Sequence, residues 1–328
     1  MTRPSNRREG MALLTVLLLV AVMAAVAVLI LDDIRFSVRR TTNVEAQAQA
    51  QWYAAGAEAL ARRQIADLMA VDAASTPLEP RWNGRIFSFP IEDGSIQAVV
   101  TDGQACFNLN SLVLGQDEDL VANPEGQAQF LALGAALGLP RGRMTALAAA
   151  LTDWMDGDAD ARPGGAEDAR YAGLAAPYRT GGVMLADVSE MRAVAGMDDG
   201  LYRRLLPFVC ALPTAGLSPI NANTLTPAQA PLLVMLTGGA LGLNGAKAAI
   251  AARPPGGWAS TDAFWAQPAL RGVSPDEATR GQVSLMTRFY DLRIDVDYGG
   301  ARAVRTALIH AAPDGGVRTV IRRWIPEE

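Results

Sequence analysis

Between residues 153 and 168 the chain carries six carboxylates: Asp153, Asp156, Asp158, Asp160, Glu167 and Asp168. Crowded carboxylates repel one another, and a hard cation such as Ca²⁺, which takes six to eight oxygens, relieves that repulsion. Asp156, Asp158, Asp160 and Glu167 fall at positions 1, 3, 5 and 12 of a twelve-residue stretch, the spacing of an EF-hand loop. Ala161 stands where that loop needs Gly, and Pro163 takes the eighth position, so the stretch is not a true EF-hand. All six acids are candidate ligands. The alternative is a solvated acidic loop with no ion.

Other chemistry is sparse. The one histidine, His310, lies in an alternating segment and reads as structural. There is no Gly-x-Ser-x-Gly elbow and no zinc cluster. The glycine-rich run Gly238 to Lys247 is followed by Ala248 where a P-loop needs Ser or Thr, so no enzyme is expected. Residues 220–268 resemble a helix-hairpin-helix module of DNA-uptake proteins, which makes a DNA-binding uptake protein the rival reading. Near its hairpin stand only Lys247 and Arg253, with Arg271 and Arg280 further on. Phosphate binding needs several cations, and the chain carries a net charge of −5, so a scaffold for protein contacts is expected and no nucleic acid.

The elements that must hold the acids begin at the other end of the chain. Residues 11–31 form an uncharged apolar run, and about 20 such residues in a helix span a bilayer core. Arg3, Arg7 and Arg8 precede it, which keeps residues 1–10 cytoplasmic and sends the rest across the membrane. From Met11 onward no Gly occurs before Gly56 and no Pro before Pro77, which predicts one helix from Met11 to about Leu68. Tyr53, Gly56, Ala57, Leu60, Ala61, Ile65 and Leu68 give its second half an apolar stripe. Residues 85–110 read as extended, with an Asp93-Gly94 turn. The pattern is helical from Ser111 to about Gln282. Three alternating segments then follow, split at Gly299-Gly300 and Asp314-Gly315-Gly316, and predict an antiparallel meander.

Cys106 and Cys210 are the two cysteines. In an oxidising compartment they form a candidate disulfide closing a loop of about a hundred residues, worth roughly 4–5 kcal/mol at most in the loop-entropy view. The alternative is a pair of buried thiols.

The junction Arg7-Arg8-Glu9-Gly10 followed by Met11-Ala12-Leu13-Leu14-Thr15 resembles a prepilin leader, with cleavage between Gly10 and Met11 by prepilin peptidase. Cleavage takes away the leader's charges and leaves −7. Trp52-Tyr53, Phe107-Asn108-Leu109-Asn110, Leu151-Thr152-Asp153-Trp154-Met155-Asp156-Gly157-Asp158, Gly164-Gly165-Ala166-Glu167-Asp168 with Tyr171, Pro177-Tyr178-Arg179 and Ile220-Asn221-Ala222-Asn223-Thr224 follow in order. Together they resemble the K-type minor pseudopilins of the type II secretion system, from Arg8 to about Ile325.

The resemblance implies an α+β fold in which a small antiparallel pilin sheet packs on the first helix and is interrupted by a large all-α insertion. The expected divisions are a leader over 1–10, a transmembrane half-helix over 11–31, pilin segments over 32–105 and 285–328, and the insertion over 106–284. It implies a single-pass protein of the bacterial inner membrane, mostly periplasmic and with its N-terminus cytoplasmic. It implies a place at the pseudopilus tip with the I- and J-type minor pseudopilins, the H-type being a further candidate partner, in support of export of folded proteins. It also implies calcium in the acidic region. Most pilin-like proteins carry Glu at the fifth residue after cleavage, thought to pair with the terminal amine of the subunit above. Here that residue is Thr15, the type expected of a subunit with none above it.

Overall fold

The computed structural model describes residues 7–116 and 119–325, with side chains from Met11 onward. The leader's first six residues, and so part of the expected leader peptide, lie outside the described residues. One helix, α1, runs unbroken over Arg7–Met69. Residues 11–45 of it are all solvent-exposed within the chain. The apolar run is the one described helical stretch long and apolar enough to cross a membrane. The fourteen or so residues from Asp32 to Ala46 then form a stalk of about 20 Å.

From Ala46 onward α1 lies on a sheet. Its packed face is Ala46, Ala50, Ala54, Glu58 and Ile65, with Tyr53, Ala57, Ala61 and Leu68 half-buried beside it. The expected stripe is therefore rotated. Gly56 and Leu60 face outward, and alanines four residues apart form the contact. Small side chains let the helix axis approach the pleated surface of Ile294, Val296, Ala303 and Ala307, which share one core with Ala50 and Ala54. A stripe sought through larger apolar residues misses them.

The sheet has five antiparallel strands in chain order: β1 (Ile86–Ile91), β2 (Gly94–Asp102), β3 (Phe289–Tyr298), β4 (Ala301–Ala311) and β5 (Val317–Ile325). The Asp93-Gly94 turn joins β1 to β2, with Ile91 opposite Gly94. Gly299 and Gly300 both adopt positive φ, 55° and 82°, which the tight β3–β4 turn requires and which side-chain-bearing residues rarely adopt. The three C-terminal strands form the expected meander. The large excursion leaves at Asp102 and returns at Phe289, between neighbouring strands, since Asp102 stands opposite Tyr290 in the β2–β3 ladder.

The insertion is built on two longer helices, α2 (Pro124–Ala136) and α3 (Arg141–Met155), and on a later pair, α5 (Ala230–Leu236) and α6 (Leu243–Ala251). Between Met155 and Asp199 the regular structure is a five-residue helix, α4 (Asp168–Ala172), and one 3₁₀ segment, because Pro163, Gly164-Gly165, Pro177 and Gly181-Gly182 punctuate the chain. Short parallel pairs, Phe107–Asn108 with Val209–Cys210 and Ile220–Asn221 with Val283–Ser284, close its base. There Cys106 and Cys210 are disulfide-bonded, with Cα atoms 5.8 Å apart. Asp102 joins the sheet to the insertion: its carboxylate accepts hydrogen bonds from Thr224, from Thr287 (3.2 Å) and from the Gln104 amide (2.9 Å). Arg323 of β5 pairs with Asp187 of the insertion.

Candidate metal centre

Helix α3 ends in two acids, Asp153 and Asp156, in the turn where its free carbonyls already present partial negative charge. A loop over 157–167 then carries Glu167 back to the same place. Its return is steric as well as electrostatic. Gly165 passes so close to Asp153 that a Cβ on it would lie 1.9 Å from the carboxylate oxygen, so any other residue there would displace that carboxylate. The result is a buried triad of Asp153, Asp156 and Glu167, exposed by 0%, 2% and 6%, each offering one oxygen within 4.8 Å of the others.

One cation reaches the triad from the loop itself. Arg162 donates from Nη1 to Asp153 Oδ1 at 2.7 Å and to Asp156 Oδ2, and from its backbone amide to Asp153 Oδ2 at 3.2 Å. Two buried oxygens remain without a hydrogen-bond donor, Asp156 Oδ1 and Glu167 Oε1. Burial pushes the Glu167 carboxyl up to about 7, with the Asp153 and Asp156 charges adding to it. Burial also raises Asp156, against the Arg162 hydrogen bond and charge that lower it. Three carboxylates with one guanidinium leave a formal −2, and orphaned oxygens are what a hard divalent cation takes as ligands. The residues present therefore fit such an ion.

Of the six candidate acids, the structure brings three together. Asp158 and Asp160 are exposed on the loop, where the Asp158 carboxylate accepts from the Asp160 amide at 2.8 Å. Asp168 turns away to accept from the Thr180 amide and hydroxyl at 2.8 and 2.9 Å. Asp158 and Asp160 belong to a loop whose turns aim them at solvent, and Asp168 lies past the helix cap at Glu167. Arg162 was not among the candidate site residues of the sequence, its one signal being a lone cation inside an acidic run, and Gly165 entered only within the Gly164-Gly165-Ala166-Glu167-Asp168 motif. Beside the triad, Trp154 meets Tyr171 edge-on at 5.4 Å, and Tyr178 stacks on Tyr171 at 5.2 Å, forming an aromatic wall.

The helix-hairpin-helix region folds as α5, a glycine turn and α6, but Arg253 donates to the Leu225 carbonyl at 2.7 Å. One of the two nearby cations is thus already committed to the chain's own backbone. His310 lies on β4 stacked on Phe289 at 4.7 Å.

A second feature lies along α1. Between its upper half and the β1–β2 hairpin runs an apolar groove of about 870 Å³. Trp52, Leu60 and Phe89 line it and are 74%, 49% and 42% exposed. These include the α1 residues that the sheet leaves uncovered. The groove continues the line of the membrane-crossing half of the same helix.

Family models described as type II secretion system (T2SS), protein K, match residues 105–214 and 220–286. Type II secretion system protein K of Klebsiella pneumoniae is 37% identical over 333 residues, covering 99% of this chain and all of that one. The Aeromonas hydrophila protein of the same description is 37% identical over 308 residues, 92% of each chain. A solved structure, the GspK-GspI-GspJ complex from the enterotoxigenic Escherichia coli type 2 secretion system, matches with a TM-score of 0.76 at 32% identity, over 88% of this chain and 100% of that one. With the interrupted sheet, the long apolar first helix and the residue matches in agreement, this chain belongs to the protein K family of the type II secretion system, the minor pseudopilins of that apparatus.

Proposed function

We propose that this chain caps the pseudopilus in complex with I- and J-type minor pseudopilins, with residues 1–10 cytoplasmic and the sheet and insertion periplasmic, and that its role is structural rather than catalytic. The observation that carries the reading is the groove beside α1. A partner whose own first helix runs beside α1 in the bilayer is led by the same axis into an apolar channel between α1 and the β1–β2 hairpin. The similarity to a chain of the solved GspK-GspI-GspJ complex supports those partners. Thr15 supports the tip position: its hydroxyl donates to the Ala12 carbonyl at 2.8 Å, so the span holds no acid in need of an amine from a subunit above. Co-purification of the detergent-extracted full chain with the I- and J-type subunits tests this. Trp52→Glu and Leu60→Glu should abolish co-purification while leaving the melting temperature unchanged. Full binding by both variants would remove the groove from the interface.

The same reading includes a structural calcium ion held by Asp153, Asp156 and Glu167, supported by their two unpartnered buried oxygens. Bound, it would neutralise the triad and pin the loop to the end of α3. Melting in EDTA against added Ca²⁺ or Mg²⁺ decides this: calcium should stabilise and magnesium should not. Asp156→Ala and Glu167→Ala should each remove most of the shift. Equal melting points in EDTA and calcium would leave an acidic loop with an arginine counter-ion.

A further inference from the structure

Two of the three triad acids, Asp153 and Asp156, have a partner in their own chain. Arg162 sits nine residues after Asp153 and six after Asp156, on the loop that Gly164 and Gly165 fold back against α3, and its Nη1 lies between the two aspartates. Its side chain is 24% exposed, so the guanidinium has a path to solvent while Asp153 and Asp156 have none. The two oxygens it holds, Asp153 Oδ1 and Asp156 Oδ2, belong to the same carboxylates that hard-cation chemistry requires. The orphaned Asp156 Oδ1 and Glu167 Oε1 show that Arg162 alone does not satisfy the cluster.

We propose that Arg162 is a built-in rival of the divalent cation for the Asp153–Asp156 pair, swinging out to solvent when the ion binds. This rests on the calcium reading above and adds a regulation to it. A triad without any counter-charge would place three buried carboxylates at a helix C-terminus, an arrangement that destabilises the fold. Arg162 removes part of that cost when calcium is scarce, and weakens the site by the same interaction. The insertion thus stays folded over a wide calcium range, and the loop over 157–167 changes its attachment as the ion comes and goes. Arginine suits this role because its charge persists at every physiological pH and its planar fork can bridge two carboxylates.

The test uses the full chain in detergent, with Arg162→Gln and Arg162→Lys beside the wild type. Calcium titration by calorimetry first establishes whether the wild type binds at all; absence of binding ends the calcium reading itself. Given binding, Arg162→Gln should bind calcium roughly ten-fold tighter or more, the scale of deleting one close charge in a partly screened site. Arg162→Lys, which keeps the charge, should stay near the wild type. Melting separates a rival from a fixed partner. In EDTA, Arg162→Gln should melt well below the wild type, and in saturating calcium the two should coincide. A deficit of equal size in EDTA and in calcium, or calcium affinity that is unchanged or weaker in Arg162→Gln, would overturn the proposal and make Arg162 a permanent strut. If Arg162→Gln fails to fold without metal, the comparison in saturating calcium and a chelator-release measurement still decide it.

Discussion

Glu58 is the residue whose removal should tell most about how the membrane helix is fixed to the periplasmic body. It sits in the packed face of α1 among alanines, with 2% of its side chain exposed. Its Oε2 meets Arg305 at 2.7 Å and Arg322 Nε at 3.0 Å, and its Oε1 accepts from Arg322 at 2.6 Å and Thr319 at 2.7 Å. Arg305 is 8% exposed and lies over the Trp324 ring at 4.9 Å. Glu58→Ala would therefore strand a buried guanidinium on β4. Breaking a buried pair by removing one partner costs about 3–5 kcal/mol. For a chain of this size that corresponds to a fall in melting temperature of roughly 5–15 °C. Arg322, half exposed, recovers water and adds little to the loss. The double substitution Glu58→Met with Arg305→Met should recover most of the stability, since apolar residues of similar volume replace a buried pair at little cost. Burial alone would raise the Glu58 carboxyl, but the Arg322 and Thr319 hydrogen bonds and the Arg305 charge hold it below the usual glutamate range. A lowered folded value means that its stabilisation is complete above about pH 4.5 and is lost as the pH falls through the folded value. Circular dichroism melts of the detergent-extracted chain at pH 7 and below pH 4 provide the assay. A Glu58→Ala melt within about 2 °C of wild type at pH 7 would refute the argument that the pair is desolvated.

Protein exported to an oxidising compartment should show no free thiol under denaturing titration, because Cys106 and Cys210 are bridged across a separation of 104 residues; two reactive thiols would contradict this. Cys106→Ala with Cys210→Ala should melt lower, by up to roughly 4–5 kcal/mol of loop entropy. Burial raises the Asp102 carboxyl to about 6, with the Thr224, Gln104 and Thr287 hydrogen bonds opposing. A carboxyl raised on folding favours the native state at low pH, so its contribution falls as pH rises from about 4 to 6. Asp102→Asn should flatten that part of the melting profile, and an unchanged slope would count against the assignment. Intact mass of the membrane-extracted chain should begin at Met11, and a chain retaining residues 1–10 in cells with active prepilin peptidase would remove the leader reading.

The architecture was legible wherever it depends on local pattern. A long run free of Pro and nearly free of Gly makes α1, alternation makes the strands, and Asp93-Gly94 and Gly299-Gly300 make the turns, because these preferences act within a few residues of backbone. The acidic run was legible as a place where a cation would be welcome. What the folded chain alone decided is which charges meet. Asp153, Asp156 and Glu167 converge, and Asp158, Asp160 and Asp168 do not, because the close pass of Gly165 against α3 sets where the loop closes and no periodicity encodes that closure. Arg162 and Glu58 look unremarkable in the sequence, one a lone cation among acids, the other a polar residue on an alanine-rich helix. Their roles arise from partners nine and roughly 250 residues away, on elements brought together by burial, and burial turns an ordinary surface charge into one that must be paired.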